Sequence, residues 1–348
     1  MTEILTKPPS AVDDRVSHRS LGARLLSRPE VGSLVGAAVI LVFFLVTAPT
    51  FRDPAAIGTI LYQAALIGVM AVPVALLMIG GEFDLSAGVA VTTSGLTAAL
   101  FAYQFSTNVW VGVFVALLVS LAIGAFNGWL LMRTGLPSFL VTLGTFFILQ
   151  GLNLAITRLL SGTVSSNSIA DMDGFNSARA VFASQFQIGS VTIRILVLWW
   201  VLFVIAGSWV LLRTKVGNWI FAVGGDAAAA RAVGVPVKRV KIGLFMTVGF
   251  FAWFSGMHLL FTQSSVQSGE GVGKEFIYII AAVVGGCLLT GGYGSVVGSA
   301  IGALIFGMTQ LGVVYAGWNA DWFKAFLGVM LLLATIVNLV VKKRAELR

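Results

Sequence analysis

Long apolar stretches separated by short polar segments make up the chain from about residue 31 onward. A helix needs about 20 consecutive apolar residues to cross the hydrocarbon core of a bilayer. Stretches of that kind start near Val31, Ile57, Leu85, Val109, Pro137, Ile193, Lys241, Phe276, Ser295 and Trp322. The pattern therefore predicts an all-α, polytopic membrane protein of about ten transmembrane helices.

The composition supports a location in the membrane. Hydrophobic residues make up 58% of the chain and charged residues 10%, whereas an ordinary soluble domain has about 25% charged residues. So few charges cannot cover a water-exposed surface, and the surplus apolar surface must face lipid. Residues 1–30 are polar and lack the apolar core of a secretory signal peptide. We therefore expect a tail over 1–30, a transmembrane domain over 31–341 and a second tail over 342–348.

The distribution of basic residues predicts the orientation. Lysine and arginine concentrate in segments 1–30, 213–240 and 342–348, and an even number of spans places these three segments on one side. Because cytoplasmic segments carry the excess of basic residues, both termini are predicted to be cytoplasmic. The net charge of +8 then reflects membrane topology, and no nucleic-acid partner is expected. Segment 159–192, rich in Ser, Asn, Asp and Gly, is the predicted main external loop.

No group of residues suited to covalent chemistry is recognisable. The single cysteine, Cys287, excludes an intramolecular disulfide and a multi-thiolate metal site. Gly273-Lys274 is followed by Glu275, where a phosphate-binding loop requires Ser or Thr. We expect no catalytic residue, no metal and no cofactor bound by this chain. If such a chain moves a solute across the membrane, it would use an ion gradient, work passively or depend on a separate ATPase.

Six polar residues within or between the apolar stretches are candidates for a substrate pathway: Glu82, Asp84, Ser86, Asn127, Thr142 and Asn153. Ionisable groups at membrane depth are costly and are therefore functional candidates. Asp84 and Ser86 could alternatively cap the third helix. The amides and hydroxyls both donate and accept hydrogen bonds, which suits a neutral polyhydroxylated solute. Their alternative role is to join helices.

The basic segment 213–240 contains a short helical pattern. Asp226 can cap an alanine-rich helix and Gly234 can end it. A capped helix on the cytoplasmic face, flanked by basic residues, suits docking of another protein. The alternative is an ordinary amphipathic helix at the membrane interface.

Four segments together resemble one known family. Gly80–Gly88, Asn127–Thr145, Ala222–Val235 and Gly291–Gly298 are similar to segments of the membrane subunits of bacterial monosaccharide importers. These are the permeases of ATP-binding-cassette transporters of the ribose, arabinose, xylose and galactose type. The resemblance extends from about residue 30 to residue 340.

The resemblance implies a function and a set of partners. It implies a multi-pass permease of the bacterial plasma membrane, paired with a second permease subunit, commonly as a homodimer. A cytoplasmic ATPase, which binds the ATP, would dock on the part of segment 213–240 that corresponds to Ala222–Val235, and an extracytoplasmic binding protein would deliver the sugar. By this resemblance the coupling loop includes Gly225, Asp226, Arg231 and Gly234.

Several alternatives remain open at this stage. The cargo is expected to be a pentose, a hexose or a related polyol. Glu82-Phe83 departs from the family pattern, which often has an apolar residue and no second acid before Asp84. Permeases for branched-chain amino acids or nucleosides share the broader superfamily. An ion-coupled secondary transporter is a candidate of another class, and a membrane-embedded enzyme is the least supported.

Overall fold

The computed structural model describes residues 29–105 and 108–346 and is almost entirely helical. Each apolar helix begins within four residues of a predicted start, and the all-α polytopic fold is confirmed. The apolar helices are α1 (Pro29–Thr47), α2 (Pro54–Ile79), α3 (Ala87–Gln104), α4 (Val109–Thr134), α5 (Ser138–Ser161), α7 (Ile195–Arg213), α10 (Val237–Gln263), α11 (Lys274–Val284), α12 (Val296–Tyr315) and α13 (Trp322–Glu346). The shorter elements are a 3-10 turn (Pro49–Arg52), α6 (Phe175–Phe182), strands β1 (Gln185–Ile188) and β2 (Val191–Arg194), α8 (Lys215–Gly225) and α9 (Ala227–Ala232).

The helices differ in their ability to cross a bilayer. In the described part of the chain, seven are long and apolar enough to do so: α1, α2, α4, α5, α7, α10 and α12. The full span predicted near Phe276 is wrong, because α11 has only 11 residues. At about 1.5 Å per residue it covers about half of a hydrocarbon core about 30 Å thick. The chain then continues without helix through the glycine-rich segment 285–295.

Local signals determine where the main helices start and stop. The Asp53 side chain accepts a hydrogen bond from Ala55 N–H (2.9 Å), and Pro54 occupies the first turn of α2. Asn108 caps α4 in the same way by accepting from Trp110 N–H (3.0 Å). Gly135 ends α4 in the left-handed conformation. These are the cap residues that helix termini generally favour.

Helix α2 lies at the centre of the bundle, with 78% of its apolar stretch buried. It packs mainly against α12, while α10 packs mainly against α3 and α4. The close approach of these helices depends on small residues. This is expected in a membrane, because the hydrophobic effect does not drive helices together where lipid is as apolar as they are. A Cβ on Gly124 would lie 2.8 Å from the backbone carbon of Phe245, and one on Gly128 would lie 2.7 Å from Ile242 Cα. This four-residue glycine spacing therefore brings α4 into backbone contact with α10.

The bundle has two distinct ends. Helices α8 and α9 lie between α7 and α10 at one end, here called the α9 end. The antiparallel hairpin β1–β2, closed by Ile188 pairing with Val191, precedes α7 at the other end, here called the hairpin end. The predicted external loop 159–192 is folded, since α6 and most of the hairpin lie within it. Phe182 of α6 stacks on Phe261 of α10, so this segment is packed on the bundle.

The peripheral helices expose apolar side chains. Only 17% of the apolar stretch of α1 is buried, and 28% of those of α5 and α7. Phe114, Ile148 and Ile205 on α4, α5 and α7 are each more than half exposed. Such extended apolar surface is expected of helices that face lipid or another protein. The surface confirms a multi-pass membrane protein, whereas the predicted orientation of the termini stays a prediction.

Candidate functional site

The segment Glu82–Ser86 between α2 and α3 is held by hydroxyl groups of α5. Phe83 N–H donates to Ser138 Oγ (3.1 Å), and Leu85 N–H donates to Thr142 Oγ1 (3.1 Å). Thr142 is completely buried and also donates to the Ser138 carbonyl (2.8 Å). The structure thus places Thr142 beside the predicted acidic segment, where it positions the backbone of that segment.

A buried chain of side-chain hydrogen bonds crosses three helices. Thr145 Oγ1 donates to Asn127 Oδ1 (2.6 Å), and Asn127 Nδ2 donates to Ser86 Oγ (3.0 Å). Ser86 Oγ in turn donates to Asp84 Oδ1 (2.5 Å). All four residues are buried. A satisfied polar network of this kind ties helices together and fixes their register.

Asp84 and Ser86 do not cap α3 in the predicted manner. Asp84 Oδ1 accepts from Ser86 N–H (2.8 Å), the residue just before the helix, and Ser86 makes no side-chain cap bond. The reason is that the Ser86 hydroxyl already donates to Asp84 Oδ1 and accepts from Asn127 Nδ2. The acid therefore builds a turn and anchors the network described above.

Glu82 makes a different contact, an ion pair with Lys241 near the start of α10. The two side chains are 10% and 15% exposed, respectively. Sequence reasoning missed this pair, because the residues are 159 positions apart and no local pattern links them. The pair joins the acidic segment to the helix that follows α9.

Asn153 is not brought together with the other candidates. It lies farther along α5 and lines an apolar cavity of about 420 Å³ between α3, α4 and α5. Its Nδ2 atom has no hydrogen-bond partner among the described residues. The structure therefore separates Asn153 from the buried network.

The segment predicted to dock a partner forms a capped helix pair. Asp226 accepts from Ala228 N–H (2.8 Å) and Ala229 N–H (3.0 Å) at the start of α9. Gly234, in the left-handed conformation, follows the end of α9. Gly225, Asp226, Arg231 and Gly234 are all exposed. Sequence reasoning missed Val233 beside them, which is 79% exposed.

Three glycine-rich segments meet behind this helix pair. Gly292 N–H donates to the Ile79 carbonyl at the end of α2 (2.9 Å). A Cβ on Gly291 would lie 2.7 Å from both Gly224 O and Gly81 Cα. Gly291 and Gly81 also have positive φ angles, 78° and 83°, which favour glycine. We call this contact between the ends of α2 and α8 and the segment before α12 the glycine junction.

The chain matches the family described as "branched-chain amino acid transport system / permease component" over residues 56–335. The chain belongs to this permease family. The permease is 32% identical over 317 residues to a probable ABC transporter permease of Escherichia coli strain K12, covering 91% of each chain. It is 30% identical over 310 residues to the ribose import permease of the same strain, covering 89% of this chain and 93% of the relative. It is 28% identical over 333 residues to the fructose import permease of Rhizobium meliloti, covering 95% and 91%.

No solved structure matches the permease significantly. Its relatives are permease subunits of transporters, and the resemblance seen in the sequence is confirmed at the level of the family. Within the described ranges, no group of three or more His, Cys, Asp or Glu residues is arranged to hold a metal ion. The assignment of the individual pathway and coupling residues stays a prediction.

Proposed function

We propose that this permease is the membrane subunit of an ATP-driven importer that moves a monosaccharide into the cell. The observation that carries the proposal is the exposed, capped α9, whose neighbour α8 packs by its backbone against α2 and the segment before α12. A protein that binds α9 from the cytoplasm can therefore move two membrane segments at once. The cargo class, a pentose, a hexose or a related polyol, is supported by relatives named for ribose and fructose import.

The α9 end is the cytoplasmic end in this proposal. Basic residues concentrate there, in segment 213–240, as expected of a cytoplasmic loop. A separate ATPase subunit binds ATP and contacts α9 through exposed Val233 and Arg231. Closure of the paired ATPases shifts α8, and the glycine junction transmits the shift to the end of α2 and to the segment before α12. The permease thus supplies two packing arrangements, and nucleotide binding shifts the equilibrium between them.

Two further partners complete the importer. A second copy of this permease pairs with the first, and the exposed apolar faces of the peripheral helices offer the surface for it. An extracytoplasmic binding protein delivers the sugar to the hairpin end. The homodimer and the binding protein both follow from the family resemblance.

One alternative cargo has a specific finding in its favour. The description of the matching family names branched-chain amino acid transport. Uptake of labelled ribose, fructose, leucine and adenosine by cells that express the complete importer distinguishes the cargo classes. Saturable uptake of leucine or adenosine without sugar uptake would replace the monosaccharide assignment and leave the ATP-driven mechanism in place.

The docking role of α9 is tested with Val233→Ser. Because the Val233 side chain is 79% exposed, this substitution leaves the packing of the permease intact and removes only apolar contact with a partner. We expect less ATPase subunit to co-purify with the variant than with the wild type, at equal permease yield.

Ile188→Ser is the matched control, since Ile188 is 64% exposed at the hairpin end. The control variant should retain the ATPase. If Val233→Ser binds the ATPase as well as the wild type, or if the wild type binds none under conditions that preserve related complexes, the docking proposal is wrong.

A further inference from the structure

A groove of about 340 Å³ lies between α7 and α10, in the part of the bundle next to α8. Helix α2 contributes Val72 and Leu76 to its wall, and both are buried. Helix α8 contributes Val216, which is 46% exposed. The groove therefore reaches from the core of the bundle to its surface. None of the six predicted pathway residues lines it.

The length of the groove matches one leaflet of a bilayer. Arg239 and Phe251 line it from two positions on α10, and a rise of about 1.5 Å per residue places them about 18 Å apart along the helix axis. One leaflet is half of a hydrocarbon core about 30 Å thick, or about 15 Å. A lipid with its headgroup at Arg239 can therefore extend an acyl chain along the groove as far as Phe251.

The wall beyond Arg239 is apolar and suits an acyl chain. Among the described residues that line the groove, Arg239 has the one charged side chain and Thr247 the one hydroxyl. That hydroxyl already donates to the α10 backbone (2.8 Å). A polar solute would therefore lose its bonds to water without gaining partners along most of this wall. The small side chain of Ala206 and the absence of one at Gly207 leave room beside α7.

Basic side chains are concentrated at one end of the groove. Arg239 lines it, Lys238 precedes Arg239, and Arg213 and Lys215 lie where α7 connects to α8. All four side chains are exposed, and none forms an ion pair or a hydrogen bond with another described residue. No acidic residue lines the groove. This end therefore complements a negative headgroup, and an arginine can donate two parallel hydrogen bonds to a phosphate.

We propose that the groove binds one anionic phospholipid, with its phosphate at Arg239 and an acyl chain between α7 and α10. Basic pockets between transmembrane helices generally bind anionic headgroups on the cytoplasmic side. The acyl chain also contacts Val216 and Ile220 of α8, so the lipid stabilises the position of that helix. The inference is independent of the proposed function, because it requires neither the cargo nor the ATPase.

The test measures the lipids retained by the full-length permease. The protein is purified in detergent and incubated with equal amounts of phosphatidylglycerol and phosphatidylcholine that carry the same acyl chains. Mass spectrometry of the intact protein then counts each bound lipid. We expect the wild type to retain about five times more phosphatidylglycerol than phosphatidylcholine, because only phosphatidylglycerol presents a net negative charge to the basic end of the groove.

Two pairs of variants separate this site from general attraction to lipid. Arg239→Gln removes the charge that lines the groove, whereas Lys238→Gln removes an equal charge from an exposed neighbour that does not line it. The preference for phosphatidylglycerol should fall about fivefold in Arg239→Gln and stay at the wild-type value in Lys238→Gln. Arg239→Lys should restore part of the preference, since lysine keeps the charge but not the paired donors.

The second pair of variants tests the place of the acyl chain. Ala206→Phe fills the groove and leaves every basic residue in place. Val201→Phe adds the same ring to α7 outside the groove, at a position that is 49% exposed. Bound phosphatidylglycerol should fall about fivefold in Ala206→Phe and remain unchanged in Val201→Phe.

Three results would overturn the proposal. Equal retention of the two lipids by the wild type would mean that the permease binds surrounding lipid without selecting a headgroup. Equal losses in Arg239→Gln and Lys238→Gln would attribute the binding to general surface charge. Wild-type retention by Ala206→Phe would place the acyl chain elsewhere. None of these results bears on the proposed function.

Discussion

The glycine junction makes a strong prediction about Gly224. This residue lies in α8, and a Cβ placed on it would collide with the carbonyl oxygen of Ile79 and lie 2.7 Å from Gly292 N. Both obstacles are backbone atoms, which cannot move aside as a flexible side chain can. Gly224→Ala therefore forces α8 away from α2 and from the segment before α12.

The magnitude follows from two opposing effects. Replacing a glycine within a helix by alanine stabilises the helix by about 1 kcal/mol. Inserting a methyl group into a packed site costs about 1–3 kcal/mol. Because backbone blocks the site on two sides, we expect a net cost of ~1.5 kcal/mol at the junction. Such a cost corresponds to about a tenfold shift in equilibrium from the arrangement in which α8 contacts α2 and the segment before α12 to one in which it does not.

The assay compares Gly224→Ala with Gly243→Ala in the complete importer. Gly243 lies within α10, and no other segment comes within 4 Å of the position that a Cβ would take there, so its replacement should have the helix benefit alone. Sugar uptake per ATP hydrolysed should fall about tenfold for Gly224→Ala and stay at the wild-type value for Gly243→Ala. Unchanged coupling in a stably assembled Gly224→Ala importer would refute the role of the junction.

Two further predictions concern the buried polar contacts. Lys241→Met leaves the Glu82 carboxylate without its partner and should lower the free energy of unfolding by about 3 kcal/mol, and adding Glu82→Gln should restore part of this loss. Thermal unfolding in detergent measures both variants. Equal melting temperatures of the single and the double variant would contradict the pairing. Asn127→Leu breaks bonds to Ser86 and Thr145 and should cost about 1–3 kcal/mol. Asn153→Leu should leave the free energy of unfolding unchanged or raise it, because Asn153 Nδ2 has no partner in the described structure. A larger loss of stability for Asn153→Leu than for Asn127→Leu would contradict this account.

Features set by neighbouring residues were predictable from the sequence. Hydropathy placed the starts of the apolar helices, and Asp226 and Gly234 predicted the short helix α9 with its ends. The span near Phe276 was predicted too long, because hydropathy counts apolar residues whether or not the backbone is helical. Segment 285–295 is rich in glycine, and its backbone makes contacts with α2 and α8 instead of continuing α11.

Features formed by distant residues were not predictable. The polar residues Asp84, Ser86 and Asn127 were recognised individually, but their arrangement as one hydrogen-bonded chain depends on the packing of α3 and α4. Gln63 of α2 and Gln310 of α12 come from opposite parts of the chain but line one cavity at the hairpin end. No sequence motif relates such residues, because only the packing of α2 against α12 brings them together.

The central claim is that ATP hydrolysis by a partner docked at the α9 end drives sugar import through this permease. The most direct measurement is uptake of labelled ribose or fructose into proteoliposomes that contain the permease, its ATPase and its binding protein. The account predicts uptake that requires ATP on the α9 side and persists when proton and sodium gradients are abolished. Uptake that proceeds without ATP and disappears with the ion gradient would contradict it.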